Sequence, residues 1–193
     1  MAIDKVTSAS IATDAVGPTQ LNEASNYAFT GTVTGAGGIT DFDQWKLGAN
    51  KSHGSTSTWI DITADLERMA YGGAGSPIGT GMTESSGIFT FPTTGKYLIT
   101  AFASHYIVNS TSTHVGIAIQ TTTDNSSYNV VSQQYGSIPS QWQPPSTSYL
   151  FDVTSTSTHK VKFSTNVANS SVVLVGGTSG QMTHFDFFRV SDT

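Results

Sequence analysis

The stretch that decides the fold is Ser86-Gly-Ile-Phe-Thr-Phe-Pro-Thr-Thr-Gly-Lys-Tyr97. Its apolar residues alternate with small polar ones up to Phe91, and alternation with a period of two indicates a β-strand. The turn residues Pro92-Thr-Thr-Gly95 follow, after which the chain enters a long apolar run from Lys96 to Val108. This pattern predicts a hairpin of the kind found in jelly-roll sandwiches.

Further β-rich runs follow, separated by short clusters of Ser, Thr, Asn and Gly at fairly regular intervals. Such spacing is typical of an all-β sandwich or barrel. Pro139, Pro144 and Pro145 exclude a central strand between Gln133 and Ser146, where we predict a long loop. The predicted strands are 57–62, 88–91, 96–108, 114–121, 128–134, 148–153, 160–165, 172–175 and 182–190.

Composition narrows the class of protein. Charged residues make up only 11% of the 193 residues, and the formal charge of −5 gives no basic footprint for nucleic acid or an anionic membrane. The absence of cysteine excludes a disulfide framework and any thiolate metal site. No apolar run approaches the ~20 residues of a membrane span, and the start lacks a signal-peptide pattern. We therefore expect synthesis in a cytoplasm, no nucleic-acid partner and no membrane insertion.

The first 38 residues differ from the rest. Val6, Ile11, Val16 and Leu21 recur at intervals of five, which fits neither the 3.6 period of a helix nor the 2.0 period of a strand. Such an apolar stripe needs partner chains, although a disordered arm has the same composition. The glycine-rich segment Gly35-Ala-Gly-Gly38 predicts a hinge. We therefore divide the chain into an N-terminal anchor or stalk, residues 1–38, and a head, residues 39–193.

Two of the predicted strands are apolar on both faces. In the run 96–108, one face carries Tyr97 and Ile99 and the other carries Leu98 and Phe102. The terminal strand repeats this pattern around Phe185 and Phe187. Because each sheet of a sandwich has one inner face, the second face needs a cover, supplied by a loop, by the N-terminal arm or by another subunit.

The motif of Phe89, Pro92, Gly95 and Tyr97 resembles the Gly-x-Phe-x-x-Pro-x-x-Gly-x-Tyr signature of the complement-type globular head, whose fold is shared with the tumour necrosis factor ligands. The resemblance implies a jelly-roll head that forms homotrimers and binds partners. In that family the equivalent sheet packs around the threefold axis. We accordingly predict a trimer interface made of Leu98, Phe102, Tyr106, Phe185 and Phe187.

Three other segments resemble structural and fibre proteins of marine bacteriophage virions. They are Phe29-Thr-Gly-Thr-Val-Thr-Gly-Ala-Gly-Gly38, Asp43-Gln-Trp-Lys-Leu47 and the block Gly79–Pro92. The resemblance implies that the N-terminal repeat fixes the protein to its particle. Val6, Ile11, Val16 and Leu21 are then the anchor residues, and other virion proteins of the capsid or tail are the partners.

Catalytic and metal motifs are weak in this sequence. It has no Gly-x-Ser-x-Gly nucleophile elbow and no recognisable pair of poised carboxylates. His184-Phe-Asp186, together with His105 and His114, offers metal-ligating types without a recognised spacing. We predict no enzymatic activity, no catalytic residue, no metal and no cofactor.

The segment from Val131 to Pro145 combines two aromatic residues with several glutamines and serines. Exposed aromatic faces flanked by amide and hydroxyl groups are typical of sugar-binding sites in lectin-like jelly rolls. Tyr135 and Trp142 are therefore the candidate contacts with a host-surface glycan. The alternative is that Trp142 plugs the end of the sandwich or contacts a neighbouring subunit.

Together these observations predict a virion structural protein: a short homotrimeric fibre or capsid decoration spike whose head stabilises the particle, adheres to the host surface, or both. One alternative is a tail fibre receptor-binding protein with a lectin-like head. The other is a polysaccharide depolymerase.

Overall fold

The computed structural model describes residues 39–70, 73, 75–178 and 180–193. These residues form fifteen β-strands and no α-helix, and hence no helix there is long and apolar enough to cross a membrane. The strands are β1 Phe42–Leu47, β2 Lys51–Ser52, β3 Ile60–Asp61, β4 Leu66–Arg68, β5 Thr83–Ser85, β6 Ile88–Thr90, β7 Gly95–Phe102, β8 His105–Tyr106, β9 Ser112–Thr122, β10 Asn129–Ile138, β11 Trp142–Gln143, β12 Ser146–Val153, β13 Lys160–Val167, β14 Val173–Leu174 and β15 His184–Ser191.

The strands form three antiparallel sheets. Sheet 1 has the order β12-β7-β15-β1-β4, and sheet 2 has the order β10-β9-β13-β6-β5, with β3 also paired to β13. Sheet 3 consists of short strands in the order β11-β8-β14-β2. Neighbours in these sheets are mostly distant in sequence, so the chain crosses repeatedly between sheets, as it does in a jelly roll.

The predicted turn at Pro92–Gly95 is present, but the two strands beside it do not form a hairpin. β6 pairs with β5 and β13 in sheet 2, whereas β7 pairs with β12 and β15 in sheet 1. The turn thus carries the chain from one sheet to the other. Gly95 is required there because its φ is +145° and a Cβ would lie 2.4 Å from Nε of Arg189.

Aromatic side chains fill the space between sheets 1 and 2. Phe163 of β13 stacks on Phe185 of β15 with ring centroids 4.0 Å apart, and Phe89 lies 5.1 Å from Phe187. All four are at most 1% exposed. Fully burying a side chain of this size contributes about 1.5–3 kcal/mol, so this cluster holds the two sheets together.

The long predicted strand 96–108 is interrupted. The chain leaves sheet 1 after Phe102 and then forms β8, which belongs to sheet 3. Within the interruption Ala103 N–H donates to the carbonyl of Pro145, and Ser104 N–H donates to the hydroxyl of Thr183. These bonds replace the ladder of sheet 1, and residues beyond the break belong to a different face.

Strand β1 was absent from the prediction because its inward positions are not all apolar. Asp43 faces inward with Trp45 and Leu47, and its carboxylate is only 1% exposed. It accepts hydrogen bonds from Arg68, from the indole of Trp45 at 2.8 Å and from the amide of Met82 at 2.8 Å. A buried carboxylate with these partners is stable, although it breaks the sequence pattern of a core strand.

The long loop predicted between Gln133 and Ser146 is wrong in its extent. β10 runs to Ile138, and Trp142–Gln143 forms β11. Both strands lie at the edges of their sheets, where prolines are tolerated.

The anchor residues Val6, Ile11, Val16 and Leu21 lie outside the described residues, so the division of the chain at residue 38 stays a prediction.

Candidate binding surfaces

The outer face of sheet 1 carries an apolar row that crosses four strands. Strand register places Leu150, Leu98, Phe188 and Phe42 side by side on β12, β7, β15 and β1. Leu150 is 53% exposed and Leu98 is 37% exposed. The rings of Phe42 and Phe188 lie 4.2 Å apart. We call these four residues the apolar row.

Polar groups lie beside the apolar row on the same face. Gln44 Nε2 donates to Asp186 Oδ1 at 3.2 Å, and His184 Nε2 is 4.0 Å from Asp186 Oδ2. Phe102 stacks on the His184 ring at 4.9 Å. Burial raises the pKa of Asp186, and His184 and the Gln44 hydrogen bond act in the opposite direction. Protonation of Asp186 is therefore easier in the folded protein than in the unfolded chain.

The structure separates the five residues predicted for the trimer interface. Leu98 and Phe102 lie on the outer face of sheet 1, as the prediction requires. The prediction is wrong for Phe185 and Phe187, because alternation along β15 directs both side chains into the core. The side chains of His184, Asp186 and Phe188 face outward instead. Tyr106 is also wrong for this face, because the break after Phe102 places it in sheet 3.

The outer face of sheet 2 carries a different arrangement. Tyr135 of β10 is paired with Gly116 of β9, and a Cβ on Gly116 would lie 2.8 Å from Cδ1 of Tyr135. The tyrosine ring therefore lies across the glycine. It lies 5.4 Å from the ring of Trp59 and meets the ring of His114 edge-on at 5.7 Å. We call Trp59 and Tyr135 the aromatic pair.

A hydrogen-bonded polar group adjoins the aromatic pair on the same face. Asp61 of β3 accepts from Gln120 Nε2 at 3.0 Å and from Lys162 Nζ at 2.6 Å. Gln120 also donates to the buried Ser164 hydroxyl at 2.8 Å. These contacts hold the Asp61 carboxylate in one orientation while its side chain remains 36% exposed.

Tyr135 and Trp142, the two candidate glycan contacts, do not share one platform. Trp142 is 47% exposed and packs on Tyr106, with ring centroids 4.5 Å apart. Tyr135 is 40% exposed and packs instead on Trp59. Sequence reasoning assigned no role to Trp59, although a single tryptophan directly after the Ser- and Thr-rich run 55–58 was a signal that could have identified it.

Two histidines are buried where sheet 3 meets sheet 2. His53 Nε2 is 3.2 Å from the Thr165 hydroxyl, and His105 Nε2 is 2.8 Å from the same oxygen. Burial lowers the pKa of His53 to about 4. Burial, together with the charge of His53, lowers the pKa of His105 to about 3. Both rings are therefore neutral at neutral pH.

Histidine, aspartate and glutamate side chains of the described residues do not form a group of three or more that could hold a metal ion. His184 and Asp186 lie on sheet 1, His105 belongs to the buried pair, and His114 is hydrogen-bonded to Asn166. The metal-ligating types noted in the sequence are thus distributed over three separate sites.

Comparison with known proteins identifies the fold. The chain matches no protein-family model and no curated protein. Among solved structures, Eiger TNF from S. frugiperda matches with a TM-score of 0.56 at 10% identity, covering 80% of this chain and 95% of that one. Murine APRIL at pH 8.5 matches with a TM-score of 0.53 at 11% identity, covering 77% of this chain and 98% of that one. The predicted fold class, a TNF-like jelly roll, is confirmed.

Proposed function

We propose that this protein is a structural protein of a bacteriophage virion, built as a short homotrimeric fibre or capsid decoration spike. In this proposal residues 1–38 dock on the particle, and the head of residues 39–193 projects outward. The head stabilises the particle, adheres to the host surface, or does both. The TNF-like fold is compatible with a trimeric head, and the phage-like segments of the sequence support a place in the virion.

The apolar row carries the proposal of a trimer. Leu98 and Leu150 expose large aliphatic side chains on neighbouring strands, beside the packed rings of Phe42 and Phe188. Complete burial of a fully exposed leucine contributes about 1.5–3 kcal/mol, so covering the exposed part of Leu98 and Leu150 contributes a fraction of that at each residue. Obligate interfaces have this core-like composition. A threefold assembly that packs these sheets together would bury one row from each subunit.

The mass of the protein in solution tests this assembly. Light scattering should give three times the chain mass of 20.3 kDa at micromolar concentration. A monodisperse monomer under these conditions would refute the trimer.

The N-terminal segment is proposed as the attachment device because its five-residue repeat of apolar residues has no use in an isolated monomer. Deleting residues 1–28 should leave a folded, soluble head that no longer joins particles. Incorporation of the truncated protein into virions at normal copy number would instead assign docking to the head.

A tail fibre receptor-binding protein is the second candidate, favoured by the aromatic pair on sheet 2, of which Tyr135 is exposed and Trp59 is half-buried. Imaging the intact virion distinguishes the two, since a decoration spike lies on the capsid shell and a fibre lies on the tail. A polysaccharide depolymerase would in addition need two carboxylates about 5–9 Å apart and measurable cleavage of the host polysaccharide.

A further inference from the structure

We propose that the outer face of sheet 2 binds a pyranose ring of a surface glycan, with the aromatic pair as its platform and Asp61 and Gln133 as its polar contacts. The inference names the ligand class of the adhesive role proposed above and rests on it. It assigns that role to Trp59 with Tyr135, and not to Trp142.

The Tyr135 ring provides a flat apolar face of fixed orientation, and the Trp59 ring, inclined at 45° to it, borders that face. Tyr135 is 40% exposed, and its ring is held from below by the backbone of Gly116 and from the sides by Trp59 and His114. A sugar ring presents a face of C–H groups that packs against such a surface. Because the tyrosine ring is already ordered, binding costs little side-chain entropy.

The polar contacts lie one row further along the sheet. Gln133 precedes Tyr135 by two residues on β10, and Asp61 follows Trp59 by two residues, so each lies one row from its ring. Register puts Gln133 and Asp61 at opposite ends of one row that also contains Ala118 and Ser164, about 14 Å apart across three strand spacings. Rows on one face of a strand are about 7 Å apart, close to the width of one sugar ring. A sugar stacked on the aromatic pair therefore has Gln133 on its β10 side, and Asp61, whose carboxylate extends toward Gln120 of β9, on its Trp59 side.

Asp61 is suited to accept hydrogen bonds from sugar hydroxyls. Its two oxygens are already held by Gln120 and Lys162, at 3.0 Å and 2.6 Å. A carboxylate offers about four acceptor positions, so acceptor capacity remains on its exposed side. The exposed Gln133 amide adds both donors and an acceptor. Orientation of polar groups by a second layer of contacts is a feature of prepared binding sites.

The other exposed aromatic patch fits a sugar less well. Trp142 packs on Tyr106, and Tyr106 is paired on its other side with Val173. These strand neighbours are apolar or aromatic and bring no carboxylate beside the indole. The chemistry of sheet 2, a flat ring beside fixed acceptors, is what distinguishes a polyhydroxylated ligand from an apolar one.

Saturation-transfer NMR with the full-length protein tests the proposal directly. The probes are the methyl pyranosides of glucose, galactose, mannose and N-acetylglucosamine at millimolar concentration, followed by an array of bacterial surface polysaccharides. We expect at least one pyranoside to receive saturation on the C–H protons of one ring face. Tight binding is expected only on the array, where several heads engage together.

Three variants locate the site. Tyr135→Leu still covers Gly116 but offers no flat face, Trp59→Ala removes the second ring, and Asp61→Asn removes the charge. Each should weaken binding at least tenfold, whereas Trp142→Ala should leave it unchanged. Melting temperatures are measured alongside, and if Tyr135→Leu lowers the melting temperature, Trp59→Ala and Asp61→Asn decide the outcome.

Two results would overturn the inference. One is a wild-type trimer that binds none of these saccharides, and the other is binding lost in Trp142→Ala but retained in Trp59→Ala. The mass of the same preparation separates this failure from that of the proposed function. A trimer that binds no sugar refutes the glycan site alone, and a monomer refutes the assembly.

Discussion

The outer faces of sheets 1 and 2 belong to the same sandwich but present opposite chemistry. On sheet 1, Leu98 and Leu150 expose aliphatic side chains that gain free energy when another surface covers them. On sheet 2, the exposed Asp61 and Tyr135 belong to a group whose hydrogen bonds and ring contacts are already made within the chain. The comparison indicates that sheet 1 is suited to self-association, whereas sheet 2 is stable in water and available to a polar ligand.

The two sides also respond to acid with opposite signs. Burial raises the pKa of Asp186 on sheet 1, so its charged form costs stability at neutral pH and protonation relieves that cost. Burial lowers the pKa values of His53 and His105 beside sheet 2, so protonation of these rings opposes folding. Acid therefore opposes folding at the two buried histidines and favours it at Asp186.

The largest expected effect comes from placing a charge in the apolar row. Leu98→Asp should convert the trimer into monomers, because three unpaired carboxylates would be buried at a cost of several kcal/mol each. Val130→Asp is the matched control, since Val130 is 43% exposed on the outer face of sheet 2. Light scattering of both variants checks the result. Equal masses for the two would remove the distinction between the faces.

The adjacent residues Phe187 and Phe188 test which face of β15 points inward. Phe187→Ala should lower the free energy of unfolding by about 3–5 kcal/mol, because it leaves a cavity among the core rings. Phe188→Ala, on the opposite face, should affect the assembly more than the fold of the subunit. Denaturant unfolding and light scattering together measure the two effects. A larger loss of subunit stability for Phe188→Ala would contradict the register.

Acid titration tests the buried histidines. The folded pKa values of His53 and His105, about 4 and about 3, lie below the ordinary value of 6.5. Above pH 6.5 neither histidine lowers the free energy of unfolding, and below it the unfolded chain binds protons first, so this free energy falls as the pH drops toward 4. Each histidine changes the free energy of unfolding by up to about 1.4 kcal/mol per pH unit in this range.

His105→Gln removes one titrating group, so the free energy of unfolding should fall less steeply with decreasing pH. This holds whatever the effect of the substitution on stability at neutral pH. Lys51 and Asp61 line a small cavity beside His53, but burial is what lowers the pKa of His53. An unchanged slope in the variant would assign acid sensitivity to the carboxylates.

The smallest expected effect is at Asp186. Asp186→Asn removes the charge of a carboxyl group whose pKa is raised by burial. The asparagine keeps an oxygen that can accept the hydrogen bond from Gln44. We expect a gain of about 0.5 kcal/mol at neutral pH, within the usual range for substitutions outside the core. Thermal melts at two pH values measure it, and the gain should shrink in acid. A loss of stability at neutral pH would show that the Asp186–His184 pair stabilises the fold.

Several elements were predictable because their signals are local. The turn at Pro92–Gly95 and the strands around Ile88, Lys160 and Ser148 follow from turn residues and alternation. The two-faced character of β7 was also visible, and it correctly placed Leu98 and Phe102 opposite Tyr97 and Ile99.

Other elements depended on contacts between distant residues. β1 was hidden because its inward Asp43 is stabilised by Arg68 and Met82, which no local pattern reveals. The inward direction of Phe185 and Phe187 was set by the register of β15 against β7, and a shift of one residue reverses it.

The sequence by itself determined an all-β sandwich with an apolar second face on its long strand, because alternation and turn chemistry are encoded within a few neighbouring residues. Only the tertiary structure decided that Leu98 joins Leu150 and Phe188 in one row, and that Tyr135 meets Trp59 and not Trp142. These groupings arise from strand pairing across 50 to 90 residues of chain, where cross-strand distance and not sequence separation sets which side chains touch.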